Sequence, residues 1–241
     1  MRVLSNLDSS IFPLERDVSE MHHFCLSNNA SSEIILMNNP YELVEQFLKN
    51  PKMDGFLHWY NRILKSNDVY KSWISNFKSP SHLDHINMYL QTYSSDKYYD
   101  NYGSFNLINE LYDNSHYLPK DQVLYRGGSH FELPTDFNVG DSFDWTLPRS
   151  TTLNIGSAHS HAFSDCSEKK YGQLLPHLTP TLLVLNIKDE YVRGHVFNYG
   201  PKNSKSIEKE VLLCPNIKLF KTGEMVFNNI KVVYLDIFGQ N

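Results

Sequence analysis

Three cysteines, Cys25, Cys166 and Cys214, are all that the 241 residues contain, an odd number at spacings that suit neither a metal site nor a redox pair. A disulfide framework is therefore excluded as the source of stability, and free thiols in a reducing compartment are expected. Long apolar runs are missing as well. Nowhere do about 18 consecutive apolar residues occur, so the sequence offers no membrane-spanning helix, and MRVLSNLDSSIFPLERDVSEMHHFCL lacks the apolar stretch of a Sec signal. Such an opening fits cytoplasmic residence as well as export by a dedicated secretion system. Blocks of like charge are absent: the net charge is −5, with Lys, Arg, Asp and Glu scattered along the chain. That distribution leaves no electrostatic footprint for nucleic acid or for a membrane surface. The chain shows no repeat at a period of about 20 to 50 residues, which excludes solenoids and propellers. It also lacks a Gly-x-Gly-x-x-Gly at a strand-to-helix turn and a Walker-type loop, so a phosphate-cradling Rossmann device is excluded.

What is present is enough apolar material for a substantial core, 41% hydrophobic and 13% aromatic, arranged as one compact domain or two intimately packed lobes. Residues 1–33 are rich in Ser, Asn and Asp with weak periodicity, the pattern of a mobile or loosely docked segment. From 34 to about 118 the grammar is helical: YELVEQFLKN after Asn39-Pro40, then GFLHWYNRILKS, VYKSWISNF, HLDHINMYLQTY and SFNLINELYDN, which predicts four or five short helices. Leu57, Tyr60 and Leu64 form one apolar stripe, and Ile86, Leu90 and Tyr93 another; such stripes are core faces. From about 119 to 241 the grammar turns to β, in QVLYRG, DSFDWTL, TLLVLNIK, VRGHVF, KEVLLCP and IKVVYLDIF, separated by Gly, Pro and Asn-rich turns.

Within the β-rich half three short segments stand out: Leu124-Tyr125-Arg126-Gly127, Ser150-Thr151-Thr152 and Glu208-Lys209-Glu210-Val211-Leu212-Leu213. Taken singly, each has a plainer reading, as a surface arginine, a loop and an exposed strand face. If the last segment is a strand, Glu208 and Glu210 project from the same face about 7 Å apart, into one cleft, while Lys209 points away.

In this order, the three segments resemble the Arg-Ser-Glu class of mono-ADP-ribosyltransferases, whose pattern is an aromatic-Arg-Gly strand end, a Ser-Thr-Ser strand and a Glu-x-Glu strand. Ala158 and Phe163 follow at family-like spacing, and the stretch from Ile86 through Tyr93 to Asn106-Leu107-Ile108-Asn109 resembles the helices that precede the arginine strand. The resemblance covers roughly residues 80 to 238. It implies an α+β ADP-ribosyltransferase fold, with a helical lobe followed by a split, mostly antiparallel sheet and an NAD cleft. It implies NAD as co-substrate and no metal. Cleavage of the nicotinamide glycosidic bond leaves an oxocarbenium-like ribose, so a carboxylate is required where that charge develops. The resemblance gives that role to Glu210, and gives Glu208 the orientation and deprotonation of the acceptor. Arg126 would grip the pyrophosphate with its guanidinium fork, Gly127 would offer its backbone to the nicotinamide carboxamide, and Ser150 with Thr151 and Thr152 would hold cofactor and glutamate in register.

Two features depart from the family pattern. Thr152 stands in place of the second serine, and Leu147-Pro148-Arg149 stands where an aromatic commonly precedes the triplet. Phe143, Trp145, Phe163 and Tyr199 are the candidates for a nicotinamide-stacking ring, with core packing the plainer role of each. Residues 197–207, reading FNYGPKNSKSI, form the loop that in this class bears on acceptor choice. The resemblance implies an effector or toxin that acts as a monomer on a protein of a host cell, reaching its cytosol without a Sec signal, with arginine as the first acceptor. An NAD glycohydrolase and a non-catalytic relative that binds NAD or protein are the alternatives. The histidines of Ala158-His159-Ser160-His161 do not share a helix face and lack matching ligands, so they are not read as a metal site. Cys214, directly after Val211-Leu212-Leu213, reads as a buried structural thiol.

Overall fold

The computed structural model describes residues 2–17, 34–49, 54–78, 82–91, 103–129, 133–167, 173–198 and 208–240. A short helix α1 (Asp8–Ile11) and an antiparallel pair, β1 (Leu14–Asp17) and β2 (Ile34–Met37), precede the helical half. That half comprises α2 (Pro40–Lys49), α3 (Asp54–Ser66), α4 (Asp68–Ser75), α5 (Asp84–Gln91) and α6 (Phe105–Asp113). Capping sets the helix starts. Asn39 Oδ1 accepts from the amides of Tyr41 and Glu42, the Glu42 carboxylate accepts from Asn39 Nδ2, and Pro40 occupies the first turn of α2. Asn67 accepts from the Tyr70 amide at the start of α4. Leu43, Val44, Phe47 and Leu48 then bury one face of α2, and Tyr60 and Leu64 the expected stripe of α3. Ile86 is buried on α5, whereas Tyr93 lies outside the described residues.

The second half forms β3 (His116–Tyr117), β4 (Val123–Ser129), β5 (Ser142–Trp145), β6 (Arg149–Thr152), helix α7 (Ile155–Asp165), β7 (Pro180–Ile187), β8 (Arg193–Val196), β9 (Glu210–Leu213), β10 (Ile217–Phe227) and β11 (Ile230–Gly239). The strand order is β3-β8-β9-β6-β4-β7-β11-β10-β5, antiparallel except for the β7–β11 pair. Strand β7, apolar from Leu182 to Leu185, is buried along its whole length, as a central strand covered on both faces must be. The pairing of β4 with β6 consists of Tyr125 opposite Thr152 alone. The sheet is therefore nearly divided there, into a four-stranded half β3-β8-β9-β6 and a five-stranded half β4-β7-β11-β10-β5.

Helix α7 ties the helical half to the sheet. A Cβ on Gly127 of β4 would lie 1.6 Å from the Ala158 carbonyl oxygen, and one on Gly156 would lie 1.6 Å from Leu57 of α3. One apolar core runs through both halves, from Leu4 to Ile237. A second cluster joins Ile86 of α5 and Leu107 and Leu111 of α6 to Phe197, Leu212 and Cys214.

Two features correct the sequence reading. Residues 2–17 are not loosely attached: Leu4, Leu7, Ile11 and Leu14 are buried in the main core, and Trp73 donates its indole N–H to the Ser5 carbonyl at 2.8 Å. Ser and Asn obscure the alternation of apolar with polar residues there, and residues 1 and 18–33 lie outside the described residues. Strand β10 was not anticipated either, because Lys218, Lys221, Gly223 and Glu224 interrupt its apolar positions. Its register shifts between Lys221 and Gly223, and the turn to β11 is Asn228-Asn229 with φ of 47° and 65°. That Asn-Asn pair is the hairpin signal the sequence carried.

Candidate active site

The three motif segments come together at the division of the sheet. Ser150 and Thr152 of β6 face Leu212 and Glu210 of β9 in register, so all four side chains share one sheet face. Val211 and Leu213, on the other face, enter the main core, and Leu212 enters the second cluster. Glu210 is buried, and Ser150 Oγ donates to its Oε1 at 2.6 Å, a charge-assisted hydrogen bond across adjacent strands. Half-buried Arg126 reaches from β4 over the division, donating from Nη1 to the main-chain carbonyl of Ser150 at 2.6 Å. A single guanidinium thus links the two halves of the sheet at the residue that holds the glutamate.

Thr151 and Thr152 serve the same frame through their hydroxyls. Thr151 Oγ1 donates to the Val211 carbonyl at 2.7 Å, and Thr152 Oγ1 donates to the Glu208 carbonyl. The Thr152 hydroxyl also accepts from the Asn154 amide at 2.8 Å, and Asn154 caps α7 by accepting from the Gly156 amide. Asn154 is fully buried and was not singled out in the sequence; an Asn immediately before the apolar start of a helix is the signal that marks it.

Glu208 departs from the expected geometry. It lies in a turn ahead of β9, and Lys209 between the two acids takes a left-handed φ of 51°. The same-face rule for alternate residues holds only along an extended strand, so it does not extend from Glu210 back to Glu208. Lysine seldom adopts this conformation, and nothing in the sequence announced it. The Lys209 side chain is buried, with its ammonium 5.1 Å from the centre of the Tyr70 ring of α4. Burial, and to a lesser degree the charge of Lys65, lowers the Lys209 ammonium to about 8.

Gly127 has a packing role that sequence reasoning did not foresee, since its bare Cα lies against the backbone of α7 at Ala158 and Ala162. Among the candidate stacking rings, Trp145 is buried under the Arg149 guanidinium, Phe143 packs beside Phe137, and Phe163 packs beside His159. Tyr199 and most of the loop 197–207 lie outside the described residues. His159 also meets Phe47 edge-on, a core contact, and no group of three or more potential metal ligands occurs among the described residues. Cys166 and Cys214 are buried free thiols, and burial pushes the Cys214 thiol up to about 11, which suits a structural cysteine.

One strand beyond β9, His195 is fully buried opposite Leu212. Its Nδ1 donates to the Asn114 carbonyl at 2.7 Å, its ring packs against Phe77 and Phe197, and burial lowers it to about 4. It is a neutral packing residue beside Leu212, on the sheet face that also carries Ser150 and Glu210.

Fold and site together define an α+β domain in which a buried acid is held by a serine, whose main-chain carbonyl accepts from an arginine, at the division of a mostly antiparallel sheet. No family model matches the chain, and no curated protein matches it. Among the solved structures that are similar to it are ADP-ribosyltransferases. The Vis toxin from Vibrio splendidus is similar over 80% of this chain and 90% of its own, at 18% identity and a TM-score of 0.49. Plx2a from Paenibacillus larvae is similar over 70% of this chain and 91% of its own, at 14% identity and a TM-score of 0.44. BECa, an ADP-ribosylating toxin of C. perfringens, is similar over 70% of this chain and 46% of its own, at 16% identity and a TM-score of 0.44. At these identities the likeness concerns the course of the chain alone.

Proposed function

We propose that the protein is an NAD-dependent mono-ADP-ribosyltransferase that modifies a protein side chain. The observation that carries this reading is the Arg126–Ser150–Glu210 relay, with Ser150 Oγ 2.6 Å from Glu210 Oε1 and Arg126 Nη1 2.6 Å from the Ser150 carbonyl. A buried carboxylate held by a hydroxyl is the arrangement needed to stabilise positive charge developing on a ribose as nicotinamide leaves. The relay also fixes a guanidinium within reach of the same face, where the charge of a pyrophosphate would be met. NAD supplies the ADP-ribosyl group and the leaving group; this chain supplies orientation and charge, with Thr151, Thr152 and Gly127 completing the cofactor-binding frame and no metal involved. Glu208, carried on the turn ahead of Glu210, takes the acceptor.

The favoured acceptor is an arginine, by the Glu-x-Glu pattern, on a protein of a host cell. Delivery without a Sec signal into that cell's cytosol fits the resemblance to bacterial toxins. No helix among the described residues is long and apolar enough to cross a membrane, and the scattered charge supports a protein partner over a polyanion.

Incubation of the purified protein with labelled NAD and a eukaryotic or a bacterial lysate tests this directly. Labelled protein bands that vanish with Glu210→Ala are the expected result. Free nicotinamide without labelled bands means a glycohydrolase, and bands that persist in the Glu210→Ala variant overturn the assignment of the catalytic acid.

A further inference from the structure

Lys209 combines two costs that the strand does not require. It is a lysine with 5% of its surface exposed, and its backbone has a left-handed φ of 51°, a conformation that glycine or asparagine adopts far more readily. Filling the space would need only an aliphatic side chain. A residue that is both disfavoured in its backbone and costly to bury points to a use for the charged group itself.

The surroundings show what the charge is held against. The ammonium lies 5.1 Å from the centre of the Tyr70 ring, within cation–π range, and Tyr70 is itself buried on α4, with its amide capped by Asn67. The backbone on either side is fastened from a third direction. The Lys209 carbonyl accepts from the Leu153 amide at 3.1 Å, and the Glu208 carbonyl accepts from Thr152 Oγ1. The turn that carries Glu208 is thus bonded to the end of β6 through its backbone and reaches the helical half through the Lys209 side chain.

We propose that Lys209 is a positioning residue: latched on Tyr70, it holds the left-handed turn that sets Glu208 apart from Glu210, and so governs whether ADP-ribose passes to a protein acceptor or to water. The proposal rests on the reading of the site as a transferase, with Glu210 serving bond cleavage and Glu208 serving the acceptor. Glu210 is held independently by Ser150, so loosening the turn weakens transfer more than cleavage.

The test compares Lys209→Met and Tyr70→Leu, which break the latch, with Lys209→Arg and Tyr70→Phe, which keep a cation over a ring. Two readouts are taken on the full chain. Backbone hydrogen exchange over residues 208–213, without NAD, should be about tenfold faster in the two breaking variants and near wild type in the two conservative ones. With labelled NAD and the lysate that carries the acceptor, the ratio of protein-linked label to released nicotinamide should fall about tenfold in the breaking variants and be restored in the conservative ones. Unchanged exchange and an unchanged ratio in Lys209→Met overturn the latch, as does a proportional loss of both products, which marks a purely structural role. A wild-type protein that releases no nicotinamide overturns the transferase reading instead, and the exchange measurement still decides whether Lys209 holds the turn.

Discussion

On the proposed mechanism Ser150 and Arg126 do different work, and substitutions should separate them. Ser150 donates one hydrogen bond to a buried carboxylate, a bond to a charged group worth about 1.5–3 kcal/mol. Ser150→Ala should therefore lower kcat roughly ten- to a hundredfold, with a much smaller change in KM for NAD. Arg126→Lys keeps a positive charge but loses the planar fork that reaches the Ser150 carbonyl, so its main effect should be a rise of about tenfold or more in KM for NAD. Steady-state nicotinamide release by the two variants checks the split; the same pattern from both would mean that the relay does not act as described. At this scale Arg126, Ser150, Thr151, Thr152 and Glu210 were legible in the sequence because their residue types recur in a recognisable order. Lys209, Tyr70 and Asn154 were not, since their roles depend on a left-handed lysine and on contacts between segments far apart in the chain. Glu208 was legible as a residue but misplaced in geometry, because an alternation rule was carried across a residue that breaks the strand.

Among the elements, the contact between β4 and α7 is the one least able to yield. Gly127 was chosen from the sequence for its place beside Arg126, yet the structure gives it a second constraint, since an added Cβ would lie 1.6 Å from a helix carbonyl and 2.6 Å from the Ala162 amide nitrogen. Neither is the flexible end of a side chain, so the helix must shift as a body. Gly127→Ala should cost at least about 3 kcal/mol, lowering Tm by roughly 6–12 °C. Gly223→Ala is the control, because the Cβ there would meet only Tyr234 at 3.5 Å, ordinary contact, with an effect within about 0.5 kcal/mol. Equal melting temperatures for the two variants would show that α7 can move away from β4. Periodicity found the five helices from α2 to α6 and the longer apolar strands, whereas α1, α7 and the short strands β1, β2 and β3 escaped it, and β10 did so because its register shift and charged positions break the alternation. The order of strands across the sheet, and its near division at Tyr125 and Thr152, arise from long-range pairing and left no local trace.

At the scale of the whole molecule, the N-terminal residues are part of the core, and Asp8 at the start of α1 helps to fasten them to the sheet, beside the Leu4 amide bonded to the Tyr117 carbonyl. Its Oδ2 accepts from the Val123 amide at 3.0 Å and from Gln122 Nε2 at 3.3 Å, while Gln122 Oε1 accepts from the Leu7 amide at 2.9 Å. Burial raises the Asp8 carboxyl from 3.8 to about 7, against the smaller lowering by Val123 and Gln122. The folded chain therefore holds this proton more tightly than the unfolded chain. The Asp8 contribution to stability is greatest below about pH 4, declines as pH rises from about 4 to 7, and is level above that. His195 has the opposite slope. Lowered from 6.5 to about 4 by burial, it contributes stability above about pH 6.5 that is lost as pH falls toward 4. A melting curve of the wild type alone sums the two, so the informative quantity is the difference from Asp8→Asn, whose side-chain oxygen can still accept from Val123 but carries no charge. The variant should match the wild type below about pH 4 and exceed it in Tm at pH 8, with the gap opening between about pH 4 and pH 7. If the two Tm profiles run parallel from pH 5 to pH 8, Asp8 is ionised at no cost in the folded protein, and the N-terminal segment is not fastened through a protonated carboxyl.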